Sequence, residues 1–280
     1  MDKDNNVNDN DSSSSISNGD DHNNNNLEFV TKGKKKMHKA SIYTKNGDKG
    51  ISQLYDGQKV NKYHPVFHSM GKLDLLSAQI GLVVHTTREQ LYVTKYTDQL
   101  VVIQEWILEA CSSLATPDPK EEVEEADDDN GQNYKKNDGK RKLSRSIERK
   151  LTRTRFPEEP TQMLEEWIDE IDDNLPRLTQ FILRGGCLMS CQTHLACVMC
   201  RESERYIFEL SDVEKNPMVK EFNFVEPTVA SFINRLSDYL FTLARMFNLL
   251  MSEPEINTRV YAKQILRNLK ASKTSKKLII

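Results

Sequence analysis

Residues 227–250 read PTVASFINRLSDYLFTLARMFNLL, and their spacing decides the fold class. Val229, Ile233, Leu236, Leu240, Leu243, Phe247 and Leu250 recur every three or four positions, which places them on one stripe of an α-helix. Pro227 sits in the first turn, where a missing N–H is harmless. Four further stretches carry the same period. Leu164, Trp167, Ile171, Leu175 and Leu178 predict a helix that begins near Thr161, and Leu188, Cys191, Leu195, Met199 and Tyr206 predict the next one. Upstream, Val66, Met70, Leu73, Leu76, Ile80 and Val83 follow Pro65, and Tyr96, Leu100, Ile103, Ile107, Cys111 and Leu114 line a helix drawn from Arg88 to Leu114. Five long amphipathic helices without a strand series predict an all-α, five-helix bundle.

Three regions fall outside that pattern. Residues 1–39 form an Asn/Ser/Asp-rich tract ending in the basic run KGKKKMHK, too poor in apolar side chains to offset the entropy of ordering, so disorder is expected there. Residues 117–156 carry an acidic block, Glu121 to Asp129, and then a basic one, Lys135 to Arg155. They read as a solvated, mobile insertion in a helical domain of residues 40–252. Ser144 and Ser146 lie among basic residues, where an added phosphate would change the local charge. Residues 253–280 are a basic, loosely held tail with a weak helical pattern from Val260 to Leu269.

Composition narrows the function classes. A formal net charge of -3 gives no general attraction to nucleic acid, and no apolar run approaches the roughly 20 residues that span a bilayer. The N-terminus has neither the apolar core of a secretory signal nor the arginine-rich character of a transit peptide, which points to the cytoplasm. Five cysteines at 111, 187, 191, 197 and 200 are an odd number within helical sequence, as reduced thiols would be. Cys191, His194, Cys197 and Cys200 suggest zinc by residue type alone. Ligands strung along one helix cannot converge on a tetrahedral ion, and core thiols are the better reading.

The polar residues must identify the chemistry. Thr44, Lys45, Asn46, Gly47, Asp48, Lys49 and Gly50 combine two lysines with a glycine turn, as anion cradles do; a surface hairpin has the same composition. Asp74 stands among apolar neighbours in GKLDLLSAQIG, so it either faces solvent or is buried beside a cation. His194, Cys197, Arg201, Glu204, Arg205 and Phe208 fall on one helical stripe, where Arg201 could clamp a phosphate and Glu204 orient it; an ordinary intrahelical ion pair has that spacing too. Asn234, Arg235, Ser237, Asp238 and Arg245 interrupt the last apolar stripe as a solvent face or as the lining of a cleft.

Taken in order, five stretches resemble the PduO-type ATP:corrinoid (cob(I)alamin) adenosyltransferases: IYTKNGDKGISQLYDGQKVNK, GKLDLLSAQIG, LEEWIDEIDDNLPRLTQFILRGG, HLACVMCRESER and FINRLSDYLFTLAR. The likeness covers about 40–116 and 157–250. It implies a homotrimer with sites between subunits. There the 5′-deoxyadenosyl group of ATP moves to the cobalt of cob(I)alamin, Mg²⁺ accompanies the phosphates, and triphosphate leaves. A cobalamin-dependent mutase or a corrinoid reductase would be a partner, and eukaryotic relatives point to mitochondria.

By the same resemblance Thr44, Lys45, Gly47, Asp48, Lys49, Gly50, Lys62, Arg201, Glu204 and Asn234 match the ATP-binding pattern. Phe181 matches the aromatic residue below cobalt, and Asp74 a carboxylate of the corrinoid pocket; with Arg201 these form the expected catalytic set. The chain departs from the pattern at Asn46, Leu75, Arg184, Cys197 and Glu202. Cys197 stands where the family has the arginine that pairs with the Asp74 carboxylate, so the alternative expectation is a protein that binds ATP or corrinoid as a sensor or chaperone without turnover.

Overall fold

The computed structural model describes residues 43, 45, 47–88, 90–120, 144–256 and 262–270. The expectations for residues 1–39, for Thr44 and Asn46, and for the acidic block fall outside that set. A hairpin of β1 (Ile51–Gln53) and β2 (Lys59–Asn61) precedes helices α1 (Pro65–Arg88) and α2 (Thr94–Leu114). Strand β3 (Asp118–Pro119), α3 (Arg145–Thr154), α4 (Glu159–Asp172), α5 (Leu188–Glu209), β4 (Phe222–Asn223) and α6 (Pro227–Leu250) follow. The hairpin is antiparallel, with Ile51 opposite Asn61 and Gln53 opposite Lys59, and β3 pairs with β4.

The predicted stripes of α1, α2 and α6 form the core, except for Leu250, exposed at the end of α6: Leu73, Leu76, Ile80, Leu100, Ile103, Leu236, Leu240 and Phe247 are fully buried. Around it α1 packs between α2 and α5, and α6 between α5 and α4. Trp106 of α2 stacks on Trp167 of α4 at 5.5 Å between ring centroids, which closes the ring of five helices. Across the middle, the buried Tyr239 hydroxyl donates to Gln99 Oε1 at 2.9 Å. Lys95 and Glu170 add an ion pair at the rim.

Four expectations change. Arg88 closes α1, and a single 3₁₀ turn, Leu91–Val93, separates it from α2. Helix α4 stops at Asp172, short of Leu175 and Leu178, because Pro176 has no N–H and forces the preceding residue away from helical torsions. Leu178 is exposed.

On α5 the buried face is Met189, Thr193, Ala196, Cys197, Cys200, Ser203 and Ile207, whereas Leu188, Cys191 and Leu195 are exposed. The helix carries two faces able to go inward, and the small residues win because α5 is wedged between α1 and α6. The Cys200 and Cys197 thiols donate to the α6 carbonyls of Ile233 and Ser237, each at 3.3 Å, and the Ser69 hydroxyl of α1 donates to the Tyr206 carbonyl at 2.9 Å. Larger side chains would hold those backbones apart.

The fourth change concerns the insertion and the tail. Residues 145–154 are helical, with Ser144 as the N-cap, and Phe156 just beyond is 3% exposed, 5.0 Å from the Phe232 ring. The basic block is therefore anchored at its end, not free. The tail is pinned at its start. Arg245, 4% exposed, donates to Glu255 at 2.7 Å and to the Pro176 carbonyl at 2.7 Å, and the Leu183 N–H donates to the Ile256 carbonyl. Replacing Arg245 with Met is expected to cost about 3 kcal/mol, because it leaves Glu255 and a carbonyl without their donor. A fall of roughly 6–12 °C in Tm would register it.

Candidate functional site

The chain runs from the loop directly into β1, and the turn is built by its own backbone. The Asp48 N–H donates to the Lys45 carbonyl and the Gly50 N–H to the Gly47 carbonyl, with Lys45 and Gly50 at positive φ of 59° and 75°. The hairpin register then returns Lys62 to the loop, where its N–H donates to the Gly50 carbonyl at 2.9 Å. Its ammonium lies over Gly47 so closely that a Cβ there would come within 2.9 Å of Nζ. The sequence separates Lys62 from the loop, and β1–β2 pairing brings them together. Lys45, Asp48 and Lys49 are exposed.

A second group forms on α5 and α6. The Asn234 amide donates to Glu204 Oε1 at 2.7 Å, which fixes the carboxylate one turn from Arg201. Arg201 is exposed, and among the described residues its side chain has no hydrogen-bond or ionic partner. Glu202 points to α1 instead and takes Lys72 Nζ at 2.9 Å. That hydrogen bond holds the Lys72 ammonium above its ordinary pKa, with Tyr206 5.2 Å below it.

The stripe expected from His194 to Phe208 is split by burial. Arg201, Arg205 and Phe208 are exposed, while His194 and Cys197 are buried, 2% and 0% exposed. Neither ring nitrogen of His194 has a hydrogen-bond partner among the described residues, and the Phe241 ring lies 5.9 Å away. Burial, and then the Arg184 charge, push the imidazole down to about 4, against a smaller opposite pull from Glu255. The unfolded chain therefore binds this proton more readily between about pH 6.5 and 4, and stability falls as pH falls through that window. His194→Phe is expected to flatten the acid side of a Tm-against-pH profile; an unchanged slope would show that other groups set it.

The cysteines are free thiols. Burial raises Cys197 and Cys200, so neither is a ready nucleophile. Among the described residues no three metal-ligating side chains cluster. Contrary to the core reading, Cys187 is only half-buried and Cys191 is exposed; Cys187 caps α5, its sulfur accepting from the Ser190 N–H at 3.5 Å.

The two expected corrinoid residues are not brought together within one chain. Phe181, 88% exposed, lies between Pro176, tied to Arg245 near the C-terminal end of α6, and Leu183, tied to Ile256 in the segment that follows α6. Asp74 is exposed midway along α1, and lines a cleft of about 670 Å³ with Leu108 and Cys111 of α2 and Arg153 and Arg155 of the insertion. Asn234 and Asn248 stand fourteen positions apart on α6, about 21 Å along its axis, so the Phe181 end is remote from the Glu204–Asn234 pair. Asn248 carries no local signal in the sequence, because it continues an apolar run. Its amide donates to the Gly185 carbonyl at 2.8 Å and accepts from the Cys187 N–H at 3.1 Å, fixing the turn that starts α5.

The chain is similar to known proteins over most of its length. The family described as Cobalamin adenosyltransferase matches residues 42–247. The corrinoid adenosyltransferase MMAB of Homo sapiens is 34% identical over 204 residues, 73% of this chain and 67% of that protein. The corrinoid adenosyltransferase of Mycobacterium leprae is 30% identical over 213 residues, 76% of this chain and 93% of that one. Among solved structures, a PduO-type ATP:corrinoid adenosyltransferase variant from Lactobacillus reuteri, complexed with cobalamin and ATP, superposes with a TM-score of 0.57. It is 29% identical and covers 78% of this chain and 99% of that one. The family match and these identities lead to one assignment: the chain belongs to the cobalamin adenosyltransferase family.

Proposed function

We propose that this protein transfers the 5′-deoxyadenosyl group of ATP to the cobalt of cob(I)alamin, releasing triphosphate. The observation that carries the reading is the Lys62 ammonium seated over Gly47: a cation held on a glycine turn, as a polyphosphate site requires. Reduced cobalt attacks C5′, the C5′–O bond breaks, and the triphosphate leaves with its electron pair, so no general base is needed. The protein's contribution is to orient ATP and to stabilise the charge growing on the leaving group, through Lys45, Lys49, Lys62 and Arg201. Magnesium would enter with the phosphates, because among the described residues no cluster of three ligands offers it a cage of its own.

A homotrimer with its sites between subunits fits the geometry. Phe181 and the Glu204–Asn234 pair lie at distant levels of one chain, so a neighbouring copy is needed to bring a corrinoid residue to a bound nucleotide. An apolar surface suited to such contact lies along Leu75 and Leu82 of α1 and Leu188, Leu195 and Val198 of α5, all between 43% and 64% exposed.

Incubation with ATP, Mg²⁺ and chemically reduced cobalamin should form the cobalt–carbon bond, followed by its change in the corrinoid absorption spectrum. A folded oligomer that binds both ligands and yields no product would overturn the reading. That result would support instead a binding protein without turnover, the alternative favoured by Cys197, whose thiol is spent on the Ser237 carbonyl and offers the Asp74 carboxylate no cation.

A further inference from the structure

We propose that Arg153 and Arg155, contributed by the charged insertion, are positioning residues that hold the corrinoid by its amide side chains together with Asp74. Three observations lead there. First, the cleft of about 670 Å³ that contains Asp74 is also lined by Arg153 and Arg155, by the apolar Met70, Leu108 and Pro157, and by a second carboxylate, Glu109. Second, the end of the insertion is fixed in place. Lys150 of α3 donates to the Tyr55 carbonyl at 2.7 Å, with its ammonium 5.1 Å over the Tyr55 ring, and Phe156 is buried against Phe232. The backbone that carries both arginines is therefore anchored beside the cleft. Third, among the described residues Asp74, Arg153 and Arg155 have no hydrogen-bond or ionic partner on their side chains, so acceptor and donors alike remain available at one surface.

The chemistry of this lining selects a ligand that is apolar in its body and rich in hydrogen-bonding groups at its edge. A carboxylate accepts from amide N–H groups, and guanidinium groups donate to amide carbonyls. A corrinoid ring with its fringe of amides has that character. On α5, where a cation could have faced the Asp74 level, Glu202 is occupied by Lys72 and Cys197 by the Ser237 carbonyl. The insertion supplies positive charge to the Asp74 cleft instead. The inference rests on the reading of the chain as a corrinoid adenosyltransferase, and its test is built to fail separately from that reading.

The test uses the full chain with Arg153→Ala and Arg155→Ala combined. KM for reduced cobalamin is expected to rise about tenfold, the order of one or two charge-assisted hydrogen bonds, with KM for ATP within twofold. Adding Asp74→Asn should weaken corrinoid further, because the carboxylate makes its own contact with amide N–H groups, and Lys at both arginine positions should recover part of the loss, which a purely structural role would not do. Cobinamide, which lacks the nucleotide loop and its phosphodiester, should show the same loss as cobalamin. A loss seen with cobalamin alone would assign the arginines to the phosphodiester and overturn the amide contact. Equal weakening of ATP and corrinoid, or no weakening of either, would overturn the proposal outright. If the wild type makes no product, quenching of tryptophan fluorescence by added corrinoid replaces turnover. A tenfold weaker corrinoid in the double variant then supports the inference although the transferase reading has failed, and a wild type that binds no corrinoid sinks both.

Discussion

Arg201→Ala should lower adenosyl transfer by about 10²–10³-fold while leaving Tm within about 1 °C, the size of effect seen when one preorganised charge is removed from a developing anion. The expectation follows from what the side chain does in the fold. Arg201 is exposed, without a side-chain partner among the described residues, so its loss breaks no packing. It stands one turn from Glu204, whose carboxylate is fixed by the Asn234 amide at 2.7 Å. A long cation beside an oriented carboxylate is suited to gripping a phosphate group as it leaves. Lysine should restore only part of the rate, since an ammonium cannot form the paired, planar contact of a guanidinium. Steady-state kinetics at saturating corrinoid with varied ATP would check the result. Activity within threefold of wild type would remove Arg201 from the site.

Gly186→Ala carries the largest expected cost in stability, about 3–5 kcal/mol, because backbone strain and overlap act together. Gly186 adopts a φ of +115°, which a side chain disfavours, and an added Cβ would meet Asn248 Oδ1 at 2.0 Å. Asn248 cannot simply swing aside, since it accepts from the Cys187 N–H and donates to the Gly185 carbonyl. The turn they fix starts α5 and lies beside the Phe181 segment, so the damage should reach that segment as well. Gly185→Ala is the control: with open space around its Cβ, it should cost under about 1 kcal/mol. Chemical denaturation of the two variants side by side would decide, and equal stabilities would show that the Asn248 turn relaxes.

Most members of the candidate site are visible in residue order alone. The loop from Thr44 to Gly50, Arg201, Glu204 and Asn234 are local signals, a glycine turn with lysines and polar interruptions in apolar stripes. Two of the links between them were not readable: the closeness of Lys62 to Gly47 depends on strand register, and the Glu204–Asn234 bond on how α5 lies against α6. His194 shows the opposite failure. Its spacing put it on a polar stripe with Arg201, yet it is buried against Phe241, because that edge of α5 turns beneath α6.

The sequence by itself determined the five long helices, most of their ends and the inward stripes of α1, α2 and α6, since three-to-four periodicity and proline punctuation act between near neighbours in the chain. Only the tertiary structure decided which face of α5 goes inward. Both faces offer apolar side chains, and the choice falls to Thr193, Ala196, Cys197, Cys200 and Ser203, because three helix backbones must approach closely there. It also decided that the basic end of the insertion closes on the Asp74 cleft, a meeting of residues about eighty positions apart that no local pattern records.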